Sequence, residues 1–531
     1  MSARSWVDPG VVDASVGSTL RYSIHPRRRR NLLVPLLRLP TELILKIFVH
    51  VIESEGDDDY WVDYDNDDHH HLGPSSLVLT AICHELREIG IASHQLWSSV
   101  DFTILPIAEL FLERCEYNPR ILLAKDSKPR QPGGVSNPRR EVVWEKLEGR
   151  TFNNLRSLVF QGTQDEFAHR VVGVLQRAPN VSNLDICNSS FCPREELPWL
   201  GSGPIPNLST LHLCRFWISW TSPLLQNLTQ LSLDFGHSSL PSERASIEML
   251  LTALANCPDL EILNLAHAGP HPLNGHQDEC DVVVQLGRLR ELSLEFYDLS
   301  MIVSVLSHIK YPEATGLTVY IFVDEDTELS EIIPQVLPHR NAQTIQHFRK
   351  STTLTICLGP GPQFSTDNLL IHFLEPHIRM GPQRNPQEWT QFVSKIVEAV
   401  GGDTVVSLNI ESLEIDLPEG MWEALLHGLP RLERIYCELT GWGEGGDPVN
   451  SFILVFSRSF EGGLVCPQLQ HLELPKEMLS QDSSVAILKH ALVKRDACGR
   501  RLKGIGLSGD AVEMDDMLVL EPFRDLVDKV Q

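Results

Sequence analysis

At 531 residues the chain is longer than a single hydrophobic core usually serves, so it reads as several domains or a repeat array. Its 42% hydrophobic and 22% charged residues exclude wholesale disorder. The formal charge of −25 argues against a phosphate backbone or an anionic membrane surface as partner, and no run of about 18 apolar residues offers a spanning helix.

The opening MSARSWVDPG has no apolar core of a secretory leader. The eleven cysteines are odd in number and show no CxxC spacing. Together these lead to the expectation of reduced, mostly buried thiols in an intracellular protein, cytoplasmic, nuclear or both. The Asn-x-Ser/Thr sequons at Asn180, Asn188, Asn207 and Asn227 would be glycosylated only after secretion. Residues 1–30 form a tail ending in Arg27-Arg28-Arg29-Arg30, either a nuclear-import signal or solvated charge.

The apolar string LLVPLLRLPTELILKIFVHVI follows. Pro40 cannot continue a preceding helix and Thr41 can cap one, so a helix is predicted to start there. Leu43, Ile44, Ile47, Phe48 and Val51 then recur at helical spacing. Residues 53–68 carry nine acids and no Lys or Arg, and His69, His70 and His71 come next. Carboxylate and imidazole are metal-ligand types, but the spacing and the glycine turn of an EF-hand are missing and the like charges repel. A solvated loop is expected. Helical spacing resumes with Leu79, Ile82, Cys83, Leu86 and Ile89, and Trp97 closes the segment.

The string Leu39-Pro40-Thr41-Glu42-Leu43-Ile44-Leu45-Lys46-Ile47-Phe48 resembles the LPxELLxxIF opening of F-box domains. Ile82-Cys83-His84-Glu85-Leu86-Arg87-Glu88-Ile89 resembles their VCxxWR helix, and Ala92 to Val100 their closing STPxLWSSI. Leu86 stands where the family has Trp, His94 where it has Pro, and the acidic insertion separates the first two helices. The resemblance implies a helical F-box-like module over 31–103 with its insertion at 53–74. It also implies docking of a Skp-type adaptor, and through it a cullin complex, by Leu39, Pro40, Leu43, Ile44, Ile47 and Phe48. The segment AELFLERCEYNPRILLA resembles the helix-plus-strand unit that opens the repeats of many fungal F-box proteins, so 104–149 is read as a first repeat and linker. Within it KDSKPRQPGGVSNPRR has linker composition.

From residue 150 to 531 an LxxLxL spacing recurs. It is met at Leu155/Leu158/Phe160, Val181/Leu184/Ile186, Leu208/Leu211/Leu213, Leu228/Leu231/Leu233, Leu260/Leu263/Leu265 and Leu289/Leu292/Leu294. It returns at Ile410/Leu413/Ile415, Leu432/Ile435/Cys437, Leu469/Leu472/Leu474 and Leu502/Ile505/Leu507, with partial copies at Leu317/Val319 and Leu354/Ile356. The triplet is common by chance, but Pro179, Pro206, Pro258, Pro430 and Pro467 each stand two residues ahead of a copy, mostly after a helical run. Helix, proline stop and short strand make a repeated unit. An α/β fold is therefore expected, with parallel strands on one side and helices on the other, as an irregular leucine-rich-repeat solenoid or horseshoe. Residues 321–352 and the Gly/Pro-rich 359–386 are read as excursions from it.

No HExxH, GxSxG or Walker loop occurs. The GxGxxG match at 441–446 has acids in its loop and Pro448 delaying any helix, so it reads as a repeat loop and not a dinucleotide site. No catalytic residue, metal ligand or cofactor is expected, nor an enzyme, nor nucleic acid as a partner. In each LxxLxL unit the residues flanking the central leucine face away from the core. Asp185, His212, Glu291, Glu414, Arg434, Tyr436 and Glu473 are the substrate-contact candidates on that face, beside Asn183, Thr210, Gln230, Ser232, Ser293, Ser412 and His471. Its mildly acidic balance favours a partner with Lys or Arg, unless loops do the binding. The expected role is a substrate receptor of a Skp–cullin–F-box ubiquitin ligase. The alternative is a ligase-independent repeat scaffold capped by an F-box-like segment.

Overall fold

The computed structural model describes residues 34–54, 75–125, 145–162, 171–188, 205–216, 218–236, 246–270, 282–296, 298–322, 352–358, 363–367, 369–374, 386–400, 402–413, 419–440, 450–460, 463–479, 482–508 and 516–530. It is a mixed α/β protein built largely on parallel strand pairing. Two compact units are present, Met1–Asp185 with Ile205–Asn207, and Ile186–Pro204 with Leu208–Gln531. Among the described residues no helix is long and apolar enough to cross a membrane.

In the first unit a short 3-10 turn, Pro35–Arg38, leads through Leu39 and Pro40 into α1 (Thr41–Ser54). The Pro40 carbonyl accepts the Leu43 and Ile44 amides at 3.0 and 3.2 Å, so the helix starts where proline ends the previous element. Next come α2 (Ser75–Ile82) and α3 (His84–Ala92), separated by Cys83, whose sulfur accepts the Leu86 amide as an N-cap. A Cβ at Gly90 would lie 2.5 Å from Thr80 Cγ2, so only glycine lets α3 approach α2 this closely. Trp97 is fully buried, donates its indole N–H to the Gly90 carbonyl at 2.9 Å and meets Phe111 edge-on at 5.0 Å. Phe111 belongs to α4 (Leu105–Arg114), whose Arg114 guanidinium lies 4.0 Å over the Trp97 ring. One aromatic side chain thus ties α3 to α4. Leu86 is a core residue.

The same unit carries β1 (Ser99–Asp101), β2 (Ile121–Lys125) and β3 (Ser157–Gly162), paired in parallel in that order. Trp97, Val100 and Phe102 are all buried at the repeat spacing. The string that closes the F-box-like segment is therefore also the first rung of the ladder, and strand pairing crosses the expected boundary at 103. Two of the sequon asparagines serve the turns ahead of the strands. Asn180 Nδ2 donates to the Asn153 carbonyl at 2.8 Å, and Asn207 Nδ2 to the Pro179 carbonyl at 3.1 Å.

The division between the units falls within β4 (Asn183–Asn188). In the second unit the strands of the large sheet begin with β5 (Thr210–Cys214), β6 (Gln230–Asp234), β7 (Ile262–Ala266), β8 (Glu291–Phe296) and β9 (Gly316–Phe322). They continue as β10 (Thr353–Leu358), β11 (Gln363–Thr366), β12 (Leu369–Leu374), β13 (Ser407–Leu413), β14 (Arg434–Thr440), β15 (His471–Pro475), β16 (Leu502–Ser508) and β17 (Val527–Val530). Their order is β5–β6–β7–β8–β9–β12–β11–β10–β13–β14–β15–β16–β17. All neighbours are parallel except at β11, which is antiparallel to β10 and β12. The helices are α5 (Ile247–Ala255), α6 (Leu299–His308), α7 (Pro386–Val400), α8 (Glu419–Gly428), α9 (Asn450–Ser457) and α10 (Asp482–Ala497). The last four pack in succession, and a Cβ at Gly428 would come within 2.3 Å of Val397 Cγ1, so glycine permits the approach of α8 to α7.

Two expectations are corrected here. The segment 359–386 is not a plain excursion, because β11 and β12 lie inside it and form a meander with β10. The Asp367-Asn368 pair between them is a turn signal that the Gly/Pro content obscures. The triplet at Ile410/Leu413/Ile415 is also out of frame. Leu408 and Ile410 pair with Leu354 and Ile356 on one side and with Ile435 and Cys437 on the other. The rung is Val405/Leu408/Ile410, all buried. The remaining complete triplets are buried as expected, each large aliphatic contributing about 1.5–3 kcal/mol. Of the excursion 321–352, residues 323–351 lie outside the described residues.

Among the described residues of the second unit Arg495 is the buried cation, only 2% exposed. It donates to the carbonyls of Val465 and Cys466 at 2.8 Å each and of Leu469 at 3.4 Å, and lies 5.3 Å from the Phe456 ring centre. Burial lowers its pKa. Replacing Arg495 with Met strands these carbonyls and is expected to lower stability by about 3 kcal/mol, read as a shifted urea midpoint. Arg495→Lys should recover less than half of this, since an ammonium lacks the planar fork.

Candidate functional site

The six adaptor-contact candidates do not share one environment. Ile44 and Phe48 are 2% and 1% exposed and belong to the core of the first unit, so the structure removes them from any docking surface. Leu39, Leu43 and Ile47 are 37%, 43% and 39% exposed, and Pro40 is exposed beside them. The three aliphatics recur every four residues, which puts them along one side of the helix and its lead-in. On the neighbouring α2, Val78 and Ile82 are 53% and 62% exposed. Such residues on a helix ordinarily face a core, so this unit carries more outward apolar surface than its own packing requires.

The substrate-contact candidates are likewise divided. Asp185 belongs to the first unit and is half-buried on the outer face of β4. In the second unit His212 stands on β5 and Glu291 on β8, while Arg434, Tyr436 and Glu473 stand on β14 and β15. The order β8–β9–β12–β11–β10–β13–β14 sets Glu291 six strands from Arg434, so they cannot share a ligand contact. Glu414 lies outside the described residues.

Arg434, Tyr436 and Glu473 do converge. With Ser407, Asn409, Glu411, Ile435 and His471 they line a cleft of about 600 Å³ over β13, β14 and β15. Register arranges the outward side chains in rows: Ser407 beside Arg434 beside His471, Asn409 beside Tyr436 beside Glu473, and Glu411 beside Glu438. Tyr436 donates its hydroxyl to Glu438 Oε2 at 2.9 Å. Burial first, then that hydrogen bond and the charges of Glu438, Glu473 and Glu411, push the phenol up to about 12. Ser407 and Asn409 were hidden in the sequence by the misplaced triplet, since the frame Val405/Leu408/Ile410 would have exposed them as flanking residues. Glu411 and Glu438, paired in register, lie one outward position beyond Asn409 and Tyr436, where no flanking rule reaches.

Among the described residues no group of three or more His, Cys, Asp or Glu side chains is arranged to hold a metal ion. Of the acid- and histidine-rich run, residues 55–71 lie outside the described residues, as does the whole GxGxxG match at 441–446, which follows β14. Comparison with protein-family models and with curated proteins returned no match.

Because the Tyr436 phenol is raised in the folded protein, its protonated form is favoured there. The associated stabilisation is present below the ordinary tyrosine range near 10 and is lost as the pH climbs through about 12. In a spectrophotometric titration Tyr436 should ionise after the ordinary tyrosines, and Tyr436→Phe should remove that late component. A late component unchanged in the variant would refute the assignment.

Proposed function

We propose that this chain is the substrate-recognition subunit of a Skp–cullin–F-box type ubiquitin ligase. In this reading the first helices form an F-box module and the strand-and-helix array is an irregular leucine-rich-repeat solenoid. The observation that carries it is the split along α1 and its lead-in: Ile44 and Phe48 are buried in the core of the first unit while Leu39, Leu43 and Ile47 remain outward and exposed. An adaptor covering that stripe would bury about 25 cal/mol for every Å² of apolar surface withdrawn from water. Resemblance of the Leu-Pro opening and of the Leu-Trp-Ser-Ser close supplies the identity of the adaptor class. The chemistry would then be proximity. The receptor holds a substrate near a charged conjugating enzyme and raises its effective concentration, with no reacting group of its own.

The paired variants Ile47→Asp and Ile44→Asp test this. The first puts a carboxylate on the exposed stripe and should leave the melting temperature unchanged while weakening capture of a purified Skp-type adaptor about 100-fold or more. The second places the charge in the core and should unfold the helical unit. A folded Ile47→Asp protein that binds the adaptor like the wild type would sink the receptor reading. Wild-type protein with no adaptor binding would leave the ligase-independent scaffold.

A further inference from the structure

We infer that the cleft over β13, β14 and β15 captures one basic side chain, arginine or lysine, of a partner polypeptide. The inference deepens the proposed function, because it takes the outer strand face as the capture surface, but it does not need the adaptor.

The floor of the cleft is the half-buried ring of Tyr436, fixed by its hydrogen bond to Glu438. A cation over such a ring is attracted by its negative face. Carboxylates reach this ring from three successive strands, Glu411 on β13, Glu438 on β14 and Glu473 on β15, and the raised phenol reports all three. The opposing charge is Arg434, two residues nearer the strand start than Tyr436, and four residues, about 13 Å, from the Glu438 row. Among the described residues no ion pair joins Arg434 to Glu438 or Glu473.

Beyond β15 the next strand places Gly504 beside His471 and Gly506 beside Glu473. Both glycines are buried, and a Cβ at Gly504 would sit 3.0 Å from His471 Nδ1, so the imidazole lies over that flank. A volume of about 600 Å³ accommodates a long side chain with part of its backbone, within the usual range of small-ligand sites. An aromatic floor, acids from three strands and a separated arginine together select a long cationic side chain. An acidic one would face three carboxylates to reach a single arginine.

The test uses the full chain, immobilised, and a random dodecapeptide library displayed on phage, panned against wild type and against a Glu411→Gln/Glu473→Gln double variant of unchanged melting temperature. Wild type should enrich Arg or Lys at one position about fivefold or more, and a synthetic consensus peptide should bind the double variant about tenfold more weakly. Its affinity for wild type should fall with added salt. No enrichment, enrichment without a basic residue, or enrichment unaltered in the double variant would each overturn the inference. Adaptor capture measured on the same proteins separates the two readings. Lost enrichment with intact adaptor capture removes this inference alone, and the reverse removes the ligase reading alone.

Discussion

A single backbone device is repeated along the ladder. The carbonyl just ahead of one strand accepts two successive amides at the start of the next. The Arg120 oxygen takes Arg156 and Ser157 at 2.8 and 3.2 Å, and the Thr229 oxygen takes Glu261 and Ile262 at 2.7 and 3.2 Å. The Glu433 oxygen takes Gln470 and His471 at 2.8 and 2.9 Å. These bonds set the register of each parallel pair before any side chain is considered, and the buried triplet then holds it. A slip by one residue would turn the leucines outward and the polar rows inward, so the outer face is fixed as firmly as the core. The cleft over β13 to β15 is a consequence of that constraint. Its rows exist because three strands start in step.

The meander of β10, β11 and β12 interrupts the sequential order without breaking the ladder. The chain leaves β9, enters the ladder three positions further on at β10, and turns back through β11 and β12. The strand beside β13 is consequently β10, and Asn409 Nδ2 donates to Thr355 Oγ1 at 3.3 Å across that pair. The antiparallel turns thus supply the neighbour on which one edge of the cleft rests. Arg495 does comparable work below the strands, joining the carbonyls of the loop before β15 to α10 and so setting the entry of the strand that carries His471 and Glu473.

In the helical unit, packing and exposure divide along one short helix. Residues three and four apart share a face, yet Ile44 and Phe48 point to the core while Leu43 and Ile47, one residue earlier in each turn, point out. Such a division asks for a second apolar surface to cover the outward stripe. Leu86 fills a core position, and His94 Nδ1 lies 2.6 Å from the Arg114 carbonyl, where a proline ring would have no polar atom to offer.

The sequence by itself determined the repeat. Leucine spacing, the proline ahead of five triplets and the Leu-Pro helix start are local signals, and local signals suffice where one hydrophobic period dominates. It also determined which residues of most strands face outward, because side chains alternate along an extended chain. Three matters were left to tertiary structure. The frame near 410 was ambiguous because LNIESLEI offers apolar residues at two competing spacings, and only pairing with Leu354 and Ile435 selects one. The choice between outward and core residues on α1 depends on which side α2 and α3 occupy, and an apolar stripe wider than its partner carries no mark of that. The gathering of Glu411, Tyr436 and Glu473 into one cleft, while Glu291 and His212 stand strands away, is a product of ladder order, which long-range hydrogen bonds decide and no short window of sequence contains.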